Sequence, residues 1–248
     1  MYDGRAYAHI LPYRLRYLNI LESVRAEVQE YLRVHQSVRL HQYFHHLNSS
    51  QALAFNLFYP YLAAGGSAVR TLSAALGFPA HTDDWEFEGV PDREEGTNVD
   101  VMWRGVGGAT TFCEVKLSEA EFGVAKDDPR HRKKLIEIYK PRLEALVADG
   151  LLEEKRFFRN YQLLRNLALL AGSNANRLVL LFPKENERLQ SQLEEVLSDL
   201  PSSTRSRVSI AYLEDVLETL LANVSLAPRL QVHAAQLKEK YIVEGAIG

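Results

Sequence analysis

The hydrophobic residues change from a helical to a strand-like period in the middle of the chain, and they change back afterwards. Three short β-rich runs lie between residues 83 and 117, and turn-forming residues separate them. The runs are DDWEFEGV, TNVDVMW and TTFCEVKL, and the short segment RGVGG lies between the second and the third. This pattern predicts an antiparallel hairpin, and therefore a sheet, inside a chain that is otherwise mostly helical.

Helical patterns dominate both sides of these runs. The segment PYRLRYLNILESVRAEVQEYLRVH has apolar residues at helical spacing. The segment NSSQALAFNLFYPYL begins with capping residues and is apolar almost all round, so we expect a buried helix that Pro60 limits. Two polar residues within it, Gln51 and Asn56, need hydrogen-bond partners. SAVRTLSAALGF is a further short helix.

After the hairpin the predicted order is helix, helix, strand, helix, strand and helix. The two helices are RHRKKLIEIYKPRLEALVADG and KRFFRNYQLLRNLALLAG, and the two strands are NRLVLLFP and SRVSIAYL. This order predicts an α/β sandwich in which helices flank a mixed central β-sheet on both faces. We divide it into an N-terminal helical region (1–80) packed on an α/β core (81–248), the two forming one continuous domain.

Composition excludes several classes of protein. The 248 residues are 46% hydrophobic and 25% charged, as in ordinary globular proteins. The single cysteine excludes an intramolecular disulfide and a cysteine-rich zinc site. The N-terminus lacks the apolar run of a signal peptide, and no segment approaches the roughly 20 apolar residues that cross a bilayer. We therefore expect a cytoplasmic protein with no membrane partner.

Charge is distributed unevenly along the chain, whose net charge is −3. Residues 83–128 contain thirteen Asp or Glu and four Lys or Arg, whereas residues 129–166 contain ten Lys or Arg and five Asp or Glu. The two blocks form either one salt-bridged surface or a cation site beside a phosphate-binding surface. Charge alone does not separate these alternatives.

Charged residues interrupt the apolar hairpin. Glu114 and Lys116 are two residues apart on one strand and therefore project from the same face. Asp100 lies on the preceding strand, and a short connection brings it beside Glu114 if the register is right. A divalent cation would remove the repulsion between the two carboxylates. An ordinary cross-strand ion pair is the alternative explanation.

The hairpin and its surroundings resemble the PD-(D/E)xK nuclease superfamily, and in particular a group of bacterial restriction-endonuclease-like proteins. Four segments carry the resemblance: HHLNSSQALAFNLFYPYL, GTNVDVMW, EVKLSEAEFG and YQLLRNLALL. It covers roughly residues 45–183. The resemblance implies a restriction-endonuclease-like sandwich with an N-terminal helical extension.

The resemblance also implies the roles of individual residues. Asp100 and Glu114 would bind Mg²⁺, for which Mn²⁺ could substitute, and Lys116 would be the catalytic lysine. Gln162 would be the catalytic polar residue of a later helix; it shares a helix face with Arg159 and Asn166. The superfamily often adds an acid from an early helix. Gln51 and Asn56 of the buried helix are not acids, so Glu88, as a third metal ligand, or Glu22 would serve instead.

Two further groups of residues are candidates for binding. Basic residues that follow the hairpin are candidates for nucleic-acid binding or, alternatively, for a solvated helix face: Arg130, Arg132, Lys133, Lys134 and Arg159. The histidines His41, His45 and His46 are expected to pack or cap a helix rather than bind a metal.

The sequence therefore predicts a Mg²⁺-dependent deoxyribonuclease, most simply an endonuclease, that hydrolyses phosphodiester bonds in DNA. Exonucleolytic action and RNA as a substrate stay open, and so does a homodimer as an assembly state. The alternative is a binding module, for nucleic acid or protein, that keeps the nuclease fold without turnover. No Walker-type phosphate loop and no Gly-x-Ser-x-Gly motif is present in the sequence.

Overall fold

A five-stranded mixed sheet forms the centre of the computed structural model, which describes residues 7–105 and 107–242. The strands are β1 (Asp84–Gly89), β2 (Val99–Arg104), β3 (Thr110–Val115), β4 (Arg177–Phe182) and β5 (Val208–Tyr212). They are ordered β1-β2-β3-β4-β5; β1, β2 and β3 are antiparallel, while β3, β4 and β5 are parallel. Val106 of the segment RGVGG and the first six residues, where a signal peptide would begin, lie outside the described residues.

Helices account for most of the remaining described chain. They are α1 (Glu22–Val34), α2 (Ser50–Ala64), α3 (Gly66–Ala75), α4 (Pro129–Lys134), α5 (Lys140–Leu143), α6 (Glu154–Arg159), α7 (Tyr161–Ala168), α8 (Glu187–Leu197), α9 (Ser202–Arg205), α10 (Leu213–Ala222) and α11 (Pro228–Tyr241). Short 3-10 segments cover Tyr13–Asn19, Asp149–Leu152 and Leu169–Gly172. In the described part of the chain, no helix combines the length and the apolar character needed to cross a membrane.

Each face of the sheet is buried against its own group of helices. Residues of one parity, such as Val101 and Cys113, pack with α1–α3, α10 and α11. Residues of the other parity, such as Met102 and Phe112, pack with the helical segments between residues 129 and 197. The alternation of side chains along a strand explains this division. The predicted fold class, a mixed sheet flanked by helices, is confirmed.

Helix α2 differs from the prediction at its C-terminal end. Ser49 caps its start as expected, because the Ser49 side chain accepts a hydrogen bond from the Ala52 N–H. Pro60, however, does not limit the helix, which continues to Ala64. Proline removes the N–H that would bond the carbonyl four residues earlier. That carbonyl, of Asn56, instead accepts a hydrogen bond from His233 Nε2 of α11 at 2.8 Å.

The two helices predicted after the hairpin are both interrupted. Leu135–Tyr139 forms a π turn between α4 and α5, in which the Lys140 N–H donates to the Leu135 carbonyl. This wider turn directly precedes Pro141, which cannot donate a helical hydrogen bond. Asn160, which leaves the helical conformation at φ −111° and ψ 25°, separates α6 from α7. The helical segment is therefore divided at Asn160 into two helices, α6 and α7.

Candidate functional site

Three carboxylates occupy successive positions across three neighbouring strands. Val101 of β2 pairs with Phe87 of β1 and with Cys113 of β3. One residue further toward the same end of the sheet, each of these strands carries an acid. The three acids are Glu88, Asp100 and Glu114. The predicted adjacency of Asp100 and Glu114 thus follows from the observed register.

Asp100 lies where β2 and β3 separate. The pairing of these strands ends at Val101 and Cys113, and the Asp100 Oδ2 atom accepts a hydrogen bond from the Val115 N–H at 2.7 Å. Strand β3 meanwhile stays paired with β4 as far as Val115, and the Lys116 N–H donates to the Leu181 carbonyl at 2.8 Å. The side chain of Asp100 therefore replaces a backbone acceptor and is held at the point of separation.

Glu114 is buried, with 3% of its surface exposed, and polar side chains surround it. Lys116 Nζ lies 2.9 Å from Glu114 Oε1 and donates to Gln162 Oε1 at 3.0 Å. Gln162 Nε2 donates to Glu114 Oε1 at 2.5 Å, and Asn166 Nδ2 donates to Glu114 Oε2 at 3.0 Å. Both amides are on α7, one turn apart, so this helix fixes the carboxylate and the ammonium together.

Glycine at position 123 allows α7 to approach the site. Gly123 has a φ of 104°, a conformation that favours glycine, and its carbonyl accepts a hydrogen bond from the Gln162 N–H at 3.1 Å. A Cβ atom at this position would lie 2.7 Å from Gln162 Oε1. Any larger residue would therefore push Gln162 away from Lys116 and Glu114.

Glu88 completes the row of acids at the end of β1. It is the one residue other than glycine with positive φ among the described residues, at 52°. Gln51 Nε2 of α2 donates to Glu88 Oε1 at 2.7 Å, and Asn98 Nδ2 donates to Glu88 Oε2 at 3.1 Å. Glu88 and Glu22 were the two alternatives for the additional acid. Glu88 lines the cleft that opens over the site, and Glu22, at the start of α1, is not one of the described residues that line it.

Burial and neighbouring negative charges raise the proton affinity of Asp100 and Glu88. Burial raises the pKa of Asp100 well above its usual range, and the negative charges of Glu114 and Glu88 add to this effect. Burial also raises the pKa of Glu88, while hydrogen bonds from Gln51 and Asn98 oppose the rise. Burial lowers the pKa of the Lys116 ammonium, but Glu114 and Asp100 outweigh burial, so its pKa lies above the usual value. The row of three acids therefore has one lysine beside it, and a further positive charge would stabilise it.

A cleft of about 880 Å³ opens over these residues. The three acids, Lys116 and Gln162 line it together, and residues 39–43, 46 and 48–51 form another wall. Among the described residues, no three His, Cys, Asp or Glu side chains are already arranged as a complete metal-ligand group. Asp100 with one neighbouring acid nevertheless matches the usual Mg²⁺ environment, in which one or two carboxylates are supplemented by water and substrate phosphate.

The basic residues that were predicted to bind nucleic acid lie elsewhere. Within the described chain, none of the five lines the cleft. Four of them form ion pairs: Arg132 with Asp127, Lys133 with Glu137, Lys134 with Glu95, and Arg159 with Glu195. For Arg130 and for the others, contact with nucleic acid stays a prediction.

Ion pairs also join the acidic block to the basic block. Arg142 of α5 pairs with Asp92 and Glu94 of the loop between β1 and β2. The Lys134 ammonium binds the carbonyl and the carboxylate of Glu95 in the same loop. A salt-bridged surface, one of the two alternatives drawn from the charge distribution, is therefore present. It holds the loop that connects the strands of Glu88 and Asp100.

Sequence reasoning missed several side chains that contact the acids. Asn166 was noted only as part of a polar stripe, yet it binds Glu114 directly. Arg165 Nη2 lies 3.8 Å from Glu114 Oε2, and Asn98 donates to Glu88. The signal for Asn166 was its polarity on an otherwise apolar helix face. Nothing in the sequence singled out Arg165 or Asn98.

Comparison with known proteins gives one match. No curated protein and no solved structure matches the chain. A family model described as "Restriction Endonuclease associating with ARP" matches residues 1–242. The chain therefore belongs to this restriction-endonuclease-like family, in agreement with its PD-(D/E)xK pattern and its mixed, helix-flanked sheet.

Proposed function

We propose that the protein is a metal-dependent nuclease that hydrolyses phosphodiester bonds, with DNA as the substrate class to test first. One observation carries this proposal: Glu88, Asp100 and Glu114 lie in one row across three neighbouring strands at an open cleft, and Lys116 is held beside them. Membership of a family described as restriction endonucleases supports it. The same description makes ARP a candidate partner of this chain.

The acids fit Mg²⁺, or Mn²⁺ in its place. Asp100 would hold the ion together with Glu114 or Glu88, because the carboxylates are mutually repulsive and oxygen ligands suit both metals. When bound, the ion would polarise a phosphate oxygen and lower the pKa of a water molecule. A bound cation would stabilise the ionised form of Asp100 and so lower its raised pKa.

Lys116 and Gln162 would act on the substrate and on the attacking water. The Lys116 ammonium is anchored between Glu114 and Gln162, so it can donate a hydrogen bond toward charge that develops on the phosphate. Gln162 would position water or phosphate. In the reaction, water adds to phosphorus and loses a proton, the bond to the leaving sugar oxygen breaks, and that oxygen takes up a proton.

A binding module without turnover is the second candidate. The observation that favours it is the full set of partners around Glu114: both carboxylate oxygens already accept hydrogen bonds from α7 amides. In such a module the cluster would serve to hold α7 on the sheet. It would need no divalent ion.

Cleavage of supercoiled and linear DNA distinguishes the two candidates. We expect cutting with Mg²⁺ or Mn²⁺ and none with EDTA. The variants Asp100→Asn and Lys116→Ala should each lower the rate by at least roughly a hundredfold, because each removes a group that stabilises the transition state. Lys155→Ala, at an exposed lysine that does not line the cleft, is the matched control and should cut like the wild type. Equal cutting by the site variants, or none by the wild type, would contradict the assignment.

A further inference from the structure

One wall of the cleft contains no acidic residue at all. Residues 31–82 lack Asp and Glu but include five histidines and three arginines, and residues 7–21 also lack acids. Backbone hydrogen bonds join these two stretches: the Leu11 N–H donates to the His45 carbonyl at 3.0 Å, and the Leu47 N–H to the His9 carbonyl at 2.8 Å. A continuous surface without negative charge thus borders the row of acids.

Ring side chains form a continuous series on this surface. We name it the aromatic strip; its members are Tyr13, His41, Tyr43, His45 and His46. Ring centroids are 5.3 Å apart for His41 and Tyr43, 5.0 Å for Tyr43 and His46, 4.5 Å for His46 and His45, and 5.6 Å for His45 and Tyr13. His41, Tyr43 and His46 line the cleft. The strip therefore leads from the acids to the outer surface.

Two tyrosines of the strip are accessible to a ligand. Tyr13 is 61% exposed and Tyr43 is 41% exposed. Large aromatic side chains usually bury most of their surface, and adjacent exposed rings are typical of interaction sites. Each ring therefore has exposed surface that a base can contact.

Arginines accompany the exposed rings. The Arg16 guanidinium lies 4.8 Å from the centre of the Tyr13 ring, and Arg39 lines the cleft beside His41. Within residues 7–105 and 107–242, neither arginine takes part in an ion pair, unlike the basic residues of 129–166 that bind carboxylates. Phosphate contacts at Arg16 and Arg39 would therefore displace no carboxylate.

We propose that the aromatic strip binds unpaired nucleotides, so that the substrate is a single strand, or a single-stranded end that leads the scissile phosphate to the acids. Exposed rings stack on the faces of bases, and arginines contact the phosphates between them. In a duplex, neighbouring base pairs cover those faces. The part of this proposal that places the scissile phosphate at the acids rests on the proposed nuclease function.

Binding measurements in EDTA test the strip separately from hydrolysis. The fluorescence anisotropy of a labelled DNA oligonucleotide would be measured as a single strand and as a duplex, with an RNA single strand of the same sequence as a third probe. We expect the single strands to bind more tightly than the duplex. Tyr43→Ala and Tyr13→Ala should each weaken single-strand binding roughly five- to a hundredfold, the range for loss of one stacked base.

Tyr43→Phe is the matched control, since it keeps the ring and loses only the hydroxyl; it should bind like the wild type. Equal affinity for duplex and single strand, or unchanged binding by Tyr43→Ala, would overturn the proposal. If cleavage persists in either of these cases, the nuclease assignment survives without the strip. If single strands bind through Tyr43 but no nucleic acid is cut, the strip survives and the nuclease assignment fails.

Discussion

Asp100 combines a structural contact with an electrostatic cost. Its carboxylate accepts the Val115 N–H at the point where β2 and β3 separate, and it lies near the negative charges of Glu88 and Glu114. The hydrogen bond stabilises the fold, whereas the repulsion and the loss of hydration destabilise it. Residues of this kind are often retained for function at the expense of stability.

Replacement of Asp100 by Asn should stabilise the protein in the absence of metal. An Asn carbonyl oxygen can still accept the Val115 N–H, while the negative charge is removed, so we expect the free energy of unfolding in EDTA to rise by about 1 kcal/mol or more. Mg²⁺ should then raise the melting temperature of the wild type but not that of the variant. Thermal unfolding with and without Mg²⁺ measures both effects.

Asp84→Asn is the control, because Asp84 forms an exposed ion pair with Arg104. It should change stability by less than about 0.5 kcal/mol. An Asp100→Asn variant that is less stable than the wild type in EDTA would show that Lys116 and the Val115 N–H stabilise the negative charge of Asp100 by more than burial and repulsion destabilise it.

At the scale of single residues, the sequence predicted those positions that local geometry determines. The adjacency of Asp100 and Glu114 followed from a short hairpin, which leaves few registers. Glu88 stayed one of two alternatives, since its position depends on a positive φ that no residue pattern indicates. Asn166 reaches Glu114 only because α7 crosses the sheet at that point, and sequence does not specify such a crossing.

Helix α2 shows how one element depends on a distant one. Pro60 leaves the Asn56 carbonyl without a donor inside the helix, and His233 of α11 provides that donor. A carbonyl can only accept, so His233 Nε2 carries the proton that it donates. The Nδ1 atom of the same ring lies 2.9 Å from the Ser23 hydroxyl oxygen. Burial lowers the pKa of His233, while the hydrogen bond to the Asn56 carbonyl opposes this shift.

A double-mutant cycle tests this dependence. His233→Leu should destabilise the protein by about 1–3 kcal/mol, because it leaves a buried carbonyl without a partner. When His233→Leu is made in the Pro60→Ala variant, the loss in free energy of unfolding should be smaller by about 1 kcal/mol. The reason is that alanine at position 60 has an N–H, which can donate to the Asn56 carbonyl in place of His233. Urea unfolding of the four proteins gives the coupling energy.

His81→Leu, at an exposed histidine, serves as the control for removal of an imidazole and should have little effect in either background. If His233→Leu costs the same in the wild-type background as in the Pro60→Ala background, the histidine does not compensate for the proline.

Strands were easier to predict than helix ends. Four of the five strands fall inside their predicted runs, and β2 ends one residue beyond its run, at Arg104. The agreement is close because alternation and flanking turn residues are local signals. The prediction that Pro60 limits α2 was wrong, since the compensating donor is far along the chain. The interruptions at Leu135–Tyr139 and Asn160 were missed because amphipathic spacing continues through them.

In the molecule as a whole, the N-terminal helices and the sheet share one hydrophobic core. Buried residues of α1–α3, such as Phe55 and Leu72, belong to the same cluster as Val115 of β3 and Leu237 of α11. Residues 7–80, together with α10 and α11, therefore supply one of the two layers that cover the sheet. Removal of residues 7–80 would expose the part of that face that they cover.

We expect the chain to unfold in a single cooperative transition. Trp85 and Trp103 pack in the shared core, so their fluorescence should report the same urea midpoint as the helical circular dichroism signal. A fragment of residues 81–248 should not fold, because the face of its sheet that packs against α2 has no cover. Two separate midpoints, or a folded fragment, would instead establish two independent domains.

The wall without acids also makes the charge distribution along the chain uneven. As a point charge, a protein of net charge −3 is repelled by a polyanion. Thirteen acids are concentrated in residues 83–128, and none lies in residues 31–82, so the field of a nucleic acid bound as proposed would exert a torque as well as a repulsion. That torque would turn the aromatic strip toward the polyanion within a Debye length of about 8 Å at physiological salt. The proposal therefore implies that the orientation of the first encounter is set before any residue of the cleft makes contact.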